Sequence, residues 1–479
     1  MTRVTIAAVG SFRQAERFLI AALALALLST AWIAAQRIPF PYQLDYGEGT
    51  VLYGAERLAR GQALYPPVGD LPVALNPYGP SGFYLFALPG TWFGTQFAAP
   101  RLLVLLCGVG VACWLVLMIH QQTRDWKLSL LFGLLFLAVP LLRTGWLYFA
   151  RMDLPGLLLQ TAGLWMVFRW PRKWLLAVPV LVLAVTFKLS LLAAPLACIA
   201  WFALRREWPA AAGITVSIAG LLGAAYWWAQ QATAGTFVQH LLYAHAGSLR
   251  PRLLGALFLP AFAAYAPLLV LGAYRLVEAW KERSVNLLDL YFLASSLLLV
   301  TAAKPGSAHN HFLGWFSALC LIAALGYSGV RRQATAAPAL ALIPAALAFF
   351  LVFNVDIRPL PRESRDCAEA NSYLQRHPGS RILSENVGAL LVSGRPVWLS
   401  DPSGYTLMVH WKDWSDRELV EKASHRFFDL IVMSETAPRM SARPHSVWPR
   451  RFLAEVERNY QPSQTFVCNN TAVFYEPRR

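Results

Sequence analysis

Hydrophobic and polar positions along this chain fall into long blocks and do not alternate residue by residue. Most apolar blocks are about 17–22 residues long, the length that a helix needs to cross the hydrocarbon core of a membrane. We place them at 18–36, 101–120, 128–146, 154–168, 174–188, 189–204, 210–229, 253–273, 287–303, 312–329 and 337–354. Because membrane-spanning barrel strands would alternate, the blocks predict an α-helical polytopic membrane protein with about eleven transmembrane helices.

One further apolar segment, at 81–96, does not fit this scheme. It is short, and Pro89-Gly90 interrupts it. We expect it to form an interfacial helix on the outer membrane surface. It would then belong to a long first outer loop at 37–100. If this segment were a transmembrane helix, the basic loop with Arg124 and Lys127 would lie on the outer side of the membrane, against the positive-inside rule.

Basic residues predict the orientation of the helices. With the N-terminus in the cytoplasm, every short cytoplasmic loop carries lysine or arginine, as the positive-inside rule requires. These residues are Arg124, Lys127, Arg169, Arg172, Lys173, Arg205, Arg206, Arg275, Lys281, Arg283, Arg331 and Arg332. An odd number of spans then places the C-terminal part outside. The formal net charge of +16 therefore needs no nucleic-acid partner, and no nucleic-acid-binding motif is present in the sequence.

The composition changes near Asp356. The whole chain is 57% hydrophobic and only 14% charged, but the part after this residue is polar. Helical patterns at 363–377, 415–427 and 449–460 alternate with strand-like runs at 381–384, 396–400, 428–433 and 466–475. The sequence thus predicts a transmembrane domain at 1–355 and a small extracytoplasmic α/β domain at 356–479.

The cysteines divide between these two parts. Cys107, Cys113, Cys198 and Cys320 lie inside apolar blocks, which favours small buried side chains. Cys367 and Cys468 lie in the C-terminal domain and would be able to pair in an oxidising compartment. Their separation in space does not follow from the sequence, so the pairing is left open.

Ionisable residues collect on the predicted outer side. Asp45 and Glu48 follow the first span and are flanked by glycines. The others are Arg151, Asp153, Lys188, Lys304, His309 and His311. Charged groups at a membrane face are costly and tend to be functional. Structural explanations remain open: a solvated turn for the two acids, an interfacial ion pair for Arg151 and Asp153, and a snorkelling side chain for Lys188.

The order of several motifs resembles that of a known enzyme family. The acid pair is followed by a helical segment at 52–60, Gly61 and Tyr65-Pro66-Pro67. The motifs further along are NPYGPSGFYLFALPG at 76–90, YFARMDLPG from Tyr148, and Thr186-Phe187-Lys188. Over about 20–330 this order resembles GT-C glycosyltransferases, in the branch with the aminoarabinose transferase and the protein O-mannosyltransferases.

That resemblance implies a reaction. A sugar would pass from a polyprenyl-phosphate donor to an acceptor hydroxyl, with inversion, on the outer face of the cytoplasmic (inner) membrane of a bacterium. The acceptor, whether glycan, lipid or protein, is left open. Many relatives have adjacent acids, whereas here Tyr46 and Gly47 separate Asp45 from Glu48. Either acid would serve as the general base, and we favour Asp45.

The resemblance also implies roles for the other residues. Lys188, Arg151, Lys304, His309 and His311 would bind the donor phosphate. A second group, Asp153, Tyr78 and Tyr84, would orient substrates, although tyrosines at these positions are also typical interfacial anchors. No cofactor is firmly implied. A divalent cation held with the help of Glu48 is left open, and zinc at the two histidines is disfavoured because no cysteine or carboxylate accompanies them.

Two other classes of function remain as alternatives. A transporter or flippase of a lipid-linked sugar would have repeat symmetry and helices broken near the bilayer midplane. A membrane receptor or scaffold would work through its outer domain, and the acids of the first loop would then have no role.

Overall fold

The structure is a computed structural model of the 479-residue chain. It describes residues 3–93, 97–139, 145–243, 249, 251–304, 307–333, 342–353, 355, 363–379, 381–411, 414–443, 446–468 and 470–479. The predicted domain boundary at 355/356 adjoins residues 356–362, which lie outside the described ranges. Parts of the predicted spans 128–146 and 337–354 lie outside them as well.

The first part of the chain is helical. Its α-helices are α1 (Arg3–Arg37), α2 (Tyr46–Ala59), α3 (Pro80–Phe93), α4 (Ala98–Thr123), α5 (Trp126–Ala138), α6 (Asp153–Arg169), α7 (Val178–Phe187), α8 (Ala193–Leu204), α9 (Trp208–Ala232), α10 (Phe237–Tyr243), α11 (Pro251–Ala264), α12 (Ala266–Lys281), α13 (Leu287–Leu298), α14 (Phe312–Gln333) and α15 (Leu342–Phe353). Short 3-10 helices cover Pro171–Ala177, Leu299–Ala303 and His309–His311. Within the described residues, each predicted apolar block therefore overlaps a helix or a helix pair.

Not every one of these helices is long enough to cross a membrane alone. Among the described residues, the helical stretches that are long and apolar enough are Ser11–Arg37, Ala98–Thr123, Trp208–Ala232 and His309–Gln333. A bent pair formed by α11 and α12 would bring this number to five. The helices α5, α8, α13 and α15 are apolar but shorter. The figure of eleven transmembrane helices therefore stays a prediction.

The prediction of one continuous helix at 253–273 was wrong. The chain bends by 84° between Gly255–Ala264 and Ala266–Lys281. Tyr265 has a non-helical backbone conformation, and a proline, Pro267, follows in the first turn of α12. Proline has no N–H to donate to a carbonyl four residues earlier, so the helix does not continue through this point.

The interfacial segment predicted at 81–96 contains α3, which ends at Phe93; residues 94–96 lie outside the described ranges. Phe83 and Phe86 are buried, whereas Tyr84 and Leu88 on the other side of the helix are exposed. This two-sided pattern is compatible with a helix that packs on protein with one face and meets the membrane surface with the other.

A small mixed sheet forms the centre of the C-terminal part. Its strands are β1 (Ile382–Ser384), β2 (Leu430–Met433), β3 (Tyr460–Cys468) and β4 (Asn470–Pro477), in the order β1-β2-β4-β3. Only β1 and β2 are parallel. The helices are α16 (Glu363–Arg376), α17 (Val387–Val392), α18 (Pro402–His410), α19 (Arg417–Ser424), α20 (Ala437–Ser441) and α21 (Arg450–Asn459). We call residues 363–479 the C-terminal domain.

Two of the strand predictions and the open cysteine pairing have outcomes in this part of the structure. The single run at 466–475 is a hairpin, in which β3 and β4 pair over Cys468 and Asn470. The run at 396–400 is not a strand of the sheet, but its Leu399 forms a parallel bridge with Val73 of the first loop. The cysteine pairing that the sequence left open is present, because Cys367 and Cys468 form a disulfide that ties α16 to β3.

The first loop is therefore part of the core of the C-terminal domain. Val73 and Leu75 are buried in the same cluster as Leu383 and Leu399. The backbone N–H of Val73 donates to the carbonyl of Trp398 at 2.8 Å. This contact joins the C-terminal domain to the loop that carries the candidate acids.

Candidate active site

The candidate site begins at the N-terminus of α2, where Asp45 is the N-cap residue. Its carboxylate accepts a hydrogen bond from the backbone N–H of Gly47 at 2.9 Å. The side chain of Glu48 returns the interaction by accepting from the backbone N–H of Asp45. This reciprocal arrangement is a capping box, which needs an oxygen-bearing side chain at the N-cap and Glu or Gln three residues later. The spacing of Asp45 and Glu48 thus has a structural cause.

Glu48 lies inside the protein and does not line the cavity formed by the other candidate residues. Its side chain is completely buried and forms an ion pair with Arg101, also completely buried, with Oε2 and Nη2 2.8 Å apart. Both carboxylate oxygens accept hydrogen bonds, including one from the backbone N–H of Ala150 at 3.0 Å. Because Arg101 already neutralises this carboxylate, Glu48 does not fit as a ligand of a divalent cation. Among the described residues no cluster of three histidine, cysteine or acidic side chains fits a metal ion.

Asp45 is placed differently, at the wall of a cavity. It forms an ion pair with Arg151, with Oδ2 and Nη2 2.6 Å apart, and about a fifth of its side chain is exposed. Arg151 also donates to the hydroxyl of Tyr78 at 3.3 Å. Burial lowers the pKa of Arg151, but the acidic groups around it, Asp45 first and then Tyr78, Asp153 and Glu48, together outweigh burial and raise that pKa. The guanidinium therefore carries its positive charge throughout the physiological range.

A second ion pair lies beside the first. The Lys188 ammonium is 2.7 Å from Oδ1 of Asp153, and both side chains are more than nine-tenths buried. Asn310 donates to the same oxygen at 3.1 Å. Lys188 occupies the extended turn between α7 and α8, and Asp153 is the first residue of α6. The described contact uses one of the three N–H groups of the ammonium, which leaves the others for a ligand.

These residues surround a cavity of about 590 Å³ between the helix ends and the C-terminal domain. Asp45 and Tyr78 line it together with basic side chains that include those of Arg151, Lys188, Lys304 and His311. The wall on the other side comes from the C-terminal domain and includes Asp401, Leu407 and Met408. A carboxylate and a group of basic side chains thus face one space that is large enough for a sugar.

The remaining predicted site residues lie elsewhere. His309 is exposed and does not line the cavity, although His311 does and lies 3.2 Å from the hydroxyl of Thr301. Tyr84 is 58% exposed on the outer face of α3. Asp153 lines a smaller adjoining pocket of about 40 Å³. The structure therefore brings together most of the predicted residues but separates Glu48, His309 and Tyr84 from them.

Sequence reasoning missed four residues of this region. Arg101 was counted only as the start of an apolar block, although a charge at the edge of such a block is itself a signal. Asn310 lies between the two singled-out histidines and holds Asp153. Tyr46 and Asp401 meet across the cavity wall, a contact between positions far apart in the sequence that no local pattern predicts.

Comparison with solved structures places this arrangement in a known fold. The chain is similar to two crystal structures of ArnT, the aminoarabinose transferase, from Cupriavidus metallidurans, one in the apo state and one bound to undecaprenyl phosphate. In both comparisons the TM-score is 0.62 and the identity 12%, over 96% of this chain and 97% of ArnT. This chain has the fold of the GT-C membrane glycosyltransferases. The apolar helices that are long enough to cross a membrane agree with this multi-pass membrane fold.

A more distant match agrees with that fold. The oligosaccharyltransferase of Archaeoglobus fulgidus, solved in complex with Zn and sulfate, has a TM-score of 0.51 and 14% identity, over 95% of this chain and 73% of that one. No family model matches the sequence, and no curated protein matches it. The likeness therefore rests on three-dimensional structure and establishes the fold alone.

Proposed function

We propose that this protein transfers a sugar from a polyprenyl-phosphate donor to an acceptor hydroxyl, with inversion at the anomeric carbon. The observation that carries the proposal is the cavity in which the carboxylate of Asp45 faces the same space as Arg151, Lys188, Lys304 and His311. Support also comes from ArnT, which has this fold and has been crystallised with undecaprenyl phosphate.

The chemistry follows from these groups. A hydroxyl is a weak nucleophile, so a carboxylate must accept its proton as the oxygen attacks. The new bond joins the acceptor oxygen to the anomeric carbon, while the bond from that carbon to the phosphate oxygen breaks. The electron pair remains on the phosphate, where cations stabilise the developing charge. A single displacement of this kind inverts the anomeric centre.

Asp45 is the base in this proposal, and Glu48 is a structural residue. Asp45 lines the cavity, and Arg151 and the first turn of α2 hold its carboxylate in one orientation. Glu48 has its oxygens occupied and lies out of reach of a substrate. Lys188, Arg151, Lys304 and His311 would hold the donor phosphate, and Asp153 would orient Lys188.

The proposed location is the outer face of the cytoplasmic membrane, with eleven transmembrane helices and a cytoplasmic N-terminus. The cavity lies where the first loop, the start of α6 and the turn after α7 meet, and these are all outer-side positions in that topology. The disulfide between Cys367 and Cys468 supports an oxidising surrounding for the C-terminal domain. A site beside the membrane also suits a donor whose lipid tail is insoluble in water.

The bend between α11 and α12 favours a second candidate, a flippase of lipid-linked sugars, because transporters use broken helices.

One experiment distinguishes sugar transfer from lipid flipping. Proteoliposomes receive undecaprenyl phosphate that carries a radiolabelled sugar, together with a membrane extract from cells that lack this protein. A transferase moves the label to an acceptor and releases bare undecaprenyl phosphate. Movement of intact labelled lipid between leaflets, without transfer, would support the flippase and overturn our proposal.

A further inference from the structure

The first turn of α2 is held from two sides. On the side of the transmembrane helices, Arg101 binds Glu48 and Arg151 binds Asp45. On the other side, the C-terminal domain contacts this turn and the residues next to it through several hydrogen bonds. They include bonds from Tyr46 Oη to Asp401 Oδ1 at 2.9 Å, from Thr50 Oγ1 to the Ser400 carbonyl at 2.8 Å, and from the Gly388 backbone N–H to Gln43 Oε1 at 2.7 Å.

The contact between Tyr46 and Asp401 is the one closest to the candidate base. Tyr46 directly follows Asp45 in the chain, and its hydroxyl also accepts a hydrogen bond from the backbone N–H of Ser403 at 3.1 Å. Asp401 is itself fixed, since its Oδ1 accepts from the backbone N–H of Gly404 and caps α18. The tyrosine hydroxyl is therefore inserted into the N-terminal turn of α18.

The backbones of the two domains also meet without room for side chains. A Cβ atom added at Gly49 would come 2.4 Å from the backbone nitrogen of Gly388, closer than real Cβ atoms approach other atoms. Gly49 and Gly388 therefore allow α2 and α17 to pack in direct contact. The C-terminal domain thus packs directly against α2, whose N-cap residue is Asp45, and also forms one wall of the cavity.

We infer that Asp401 is a positioning residue for the candidate base and acts through Tyr46. This inference deepens the proposed function and rests on it. Asp401 holds Tyr46, and Tyr46 sets the orientation of the peptide that carries the Asp45 carboxylate. The active site is therefore assembled from both domains, and its base is aligned only when the C-terminal domain is docked.

The first part of the test needs no substrate. Hydrogen–deuterium exchange is measured on the full-length protein in detergent, as the wild type and as the Tyr46→Phe and Asp401→Ala variants. We expect exchange in the peptide that covers the first turn of α2 to accelerate about tenfold in both variants, in line with the loss of one buried hydrogen bond. Tyr405→Phe is the matched control, because the Tyr405 hydroxyl donates only within the C-terminal domain, to the carbonyl of Ser415.

The second part measures transfer from the labelled undecaprenyl phosphate sugar of the proteoliposome assay. We expect Tyr46→Phe and Asp401→Ala each to lower kcat about tenfold while the donor KM changes less than about twofold, because the phosphate-binding cations are untouched. The double variant should be no slower than either single one, since both act through the same contact. Asp401→Asn keeps an acceptor oxygen for Tyr46 and should recover most of kcat.

The possible results distinguish a failure of the positioning role of Asp401 from a failure of the proposed sugar transfer. Normal exchange and normal kcat in Tyr46→Phe would overturn the positioning role and leave the proposed function intact. An increase in KM alone would also overturn it, because it would make the contact a part of substrate binding. Failure of the wild type to transfer any sugar, with binding of bare undecaprenyl phosphate also absent, would instead overturn the proposed function and this inference with it.

Discussion

The carboxylate of Asp45 and the guanidinium of Arg151 form an ion pair at the wall of the central cavity, with Oδ2 and Nη2 2.6 Å apart. The pair connects the first loop to the segment that leads into α6. Tyr78 extends it by contacting Arg151 from a second part of the first loop. These contacts hold the candidate base at the edge of the group of cations that would receive the donor phosphate.

Replacement of Asp45 by asparagine should abolish transfer with little change in the fold. Asparagine is a good N-cap residue, so α2 keeps its capping interaction, but the neutral amide does not accept a proton. We expect the rate of transfer to fall by about 10²–10⁴, the usual contribution of a general base. The measurement is kcat in proteoliposomes. Asp70→Asn, an exposed acid of the same loop, is the control and should remain fully active.

Replacement of Glu48 by glutamine should act on stability. The change leaves the buried guanidinium of Arg101 without its counter-ion, which typically costs about 3–5 kcal/mol. We therefore expect a marked fall in the midpoint of thermal unfolding in detergent and a low yield of folded protein. A Glu48→Gln protein with normal thermal stability and no activity would contradict this account and would make Glu48 the base.

The two neighbouring histidines should behave differently. His311 lines the cavity, whereas His309 is exposed and lies outside its lining. His311→Ala should weaken the binding of undecaprenyl phosphate by about tenfold, the effect of losing one hydrogen bond to a charged group. His309→Ala should bind as the wild type does. Native mass spectrometry with added undecaprenyl phosphate measures both affinities, and equal losses would argue against the proposed phosphate site.

His240 should make the fold sensitive to acid. Its Nδ1 accepts from the backbone N–H of Asn76 at 3.2 Å and its Nε2 is 2.7 Å from the carbonyl of Pro66, a pattern that requires the neutral ring. Burial lowers the pKa of His240 despite the hydrogen bond to Pro66. The unfolded chain therefore binds the proton more readily than the folded one, and stability is lost as the pH falls below about 6.5.

The check compares thermal midpoints of the wild type and His240→Asn at pH 7.5 and pH 5.5. The wild type should lose more stability between these conditions than the variant, which has no ring to protonate. An equal loss in both proteins would assign the acid sensitivity to other groups.

The cysteines should divide into a bonded pair and four thiols. Cys367 and Cys468 form the disulfide, and Cys107, Cys113, Cys198 and Cys320 are free. Alkylation of the denatured, unreduced protein should therefore modify four cysteines, and all six after reduction. Cys468→Ser should lower the stability of the C-terminal domain by about 2–4 kcal/mol. Alkylation of all six without reduction, in protein isolated from its native membrane, would contradict an oxidising location.

The sequence predicted those features that depend on local pattern. Apolar blocks predicted the helices because burial in lipid demands continuous apolar runs. The prediction that ionisable residues collect on one side of the membrane grouped Asp45, Arg151 and Lys188, which do line one cavity. Features that depend on tertiary contacts were not predictable. The partner of Glu48 proved to be Arg101, and the bond between Tyr46 and Asp401 joins distant parts of the chain.

Two errors have equally physical causes. The hairpin of β3 and β4 was read as one strand because Cys468 and Asn470 already pair, so that no turn-rich stretch of sequence separates the two strands. The bend at Tyr265 was missed because Pro267 lies within an apolar block, where length and hydrophobicity suggested a continuous helix. The spacing of the two acids, which the sequence showed only as a departure from the family pattern, is also the spacing of a capping box.

The most direct measurement identifies the lipids that remain bound to the protein purified from its native membrane. Mass spectrometry of these lipids would compare the wild type with Lys188→Met, and with Lys173→Met as a control in a loop that is predicted to be cytoplasmic. The account predicts a polyprenyl phosphate or its sugar adduct on the wild type and the control, and its loss from Lys188→Met. Bulk phospholipid alone on all three proteins would contradict the claim that this cavity binds a lipid-linked sugar donor.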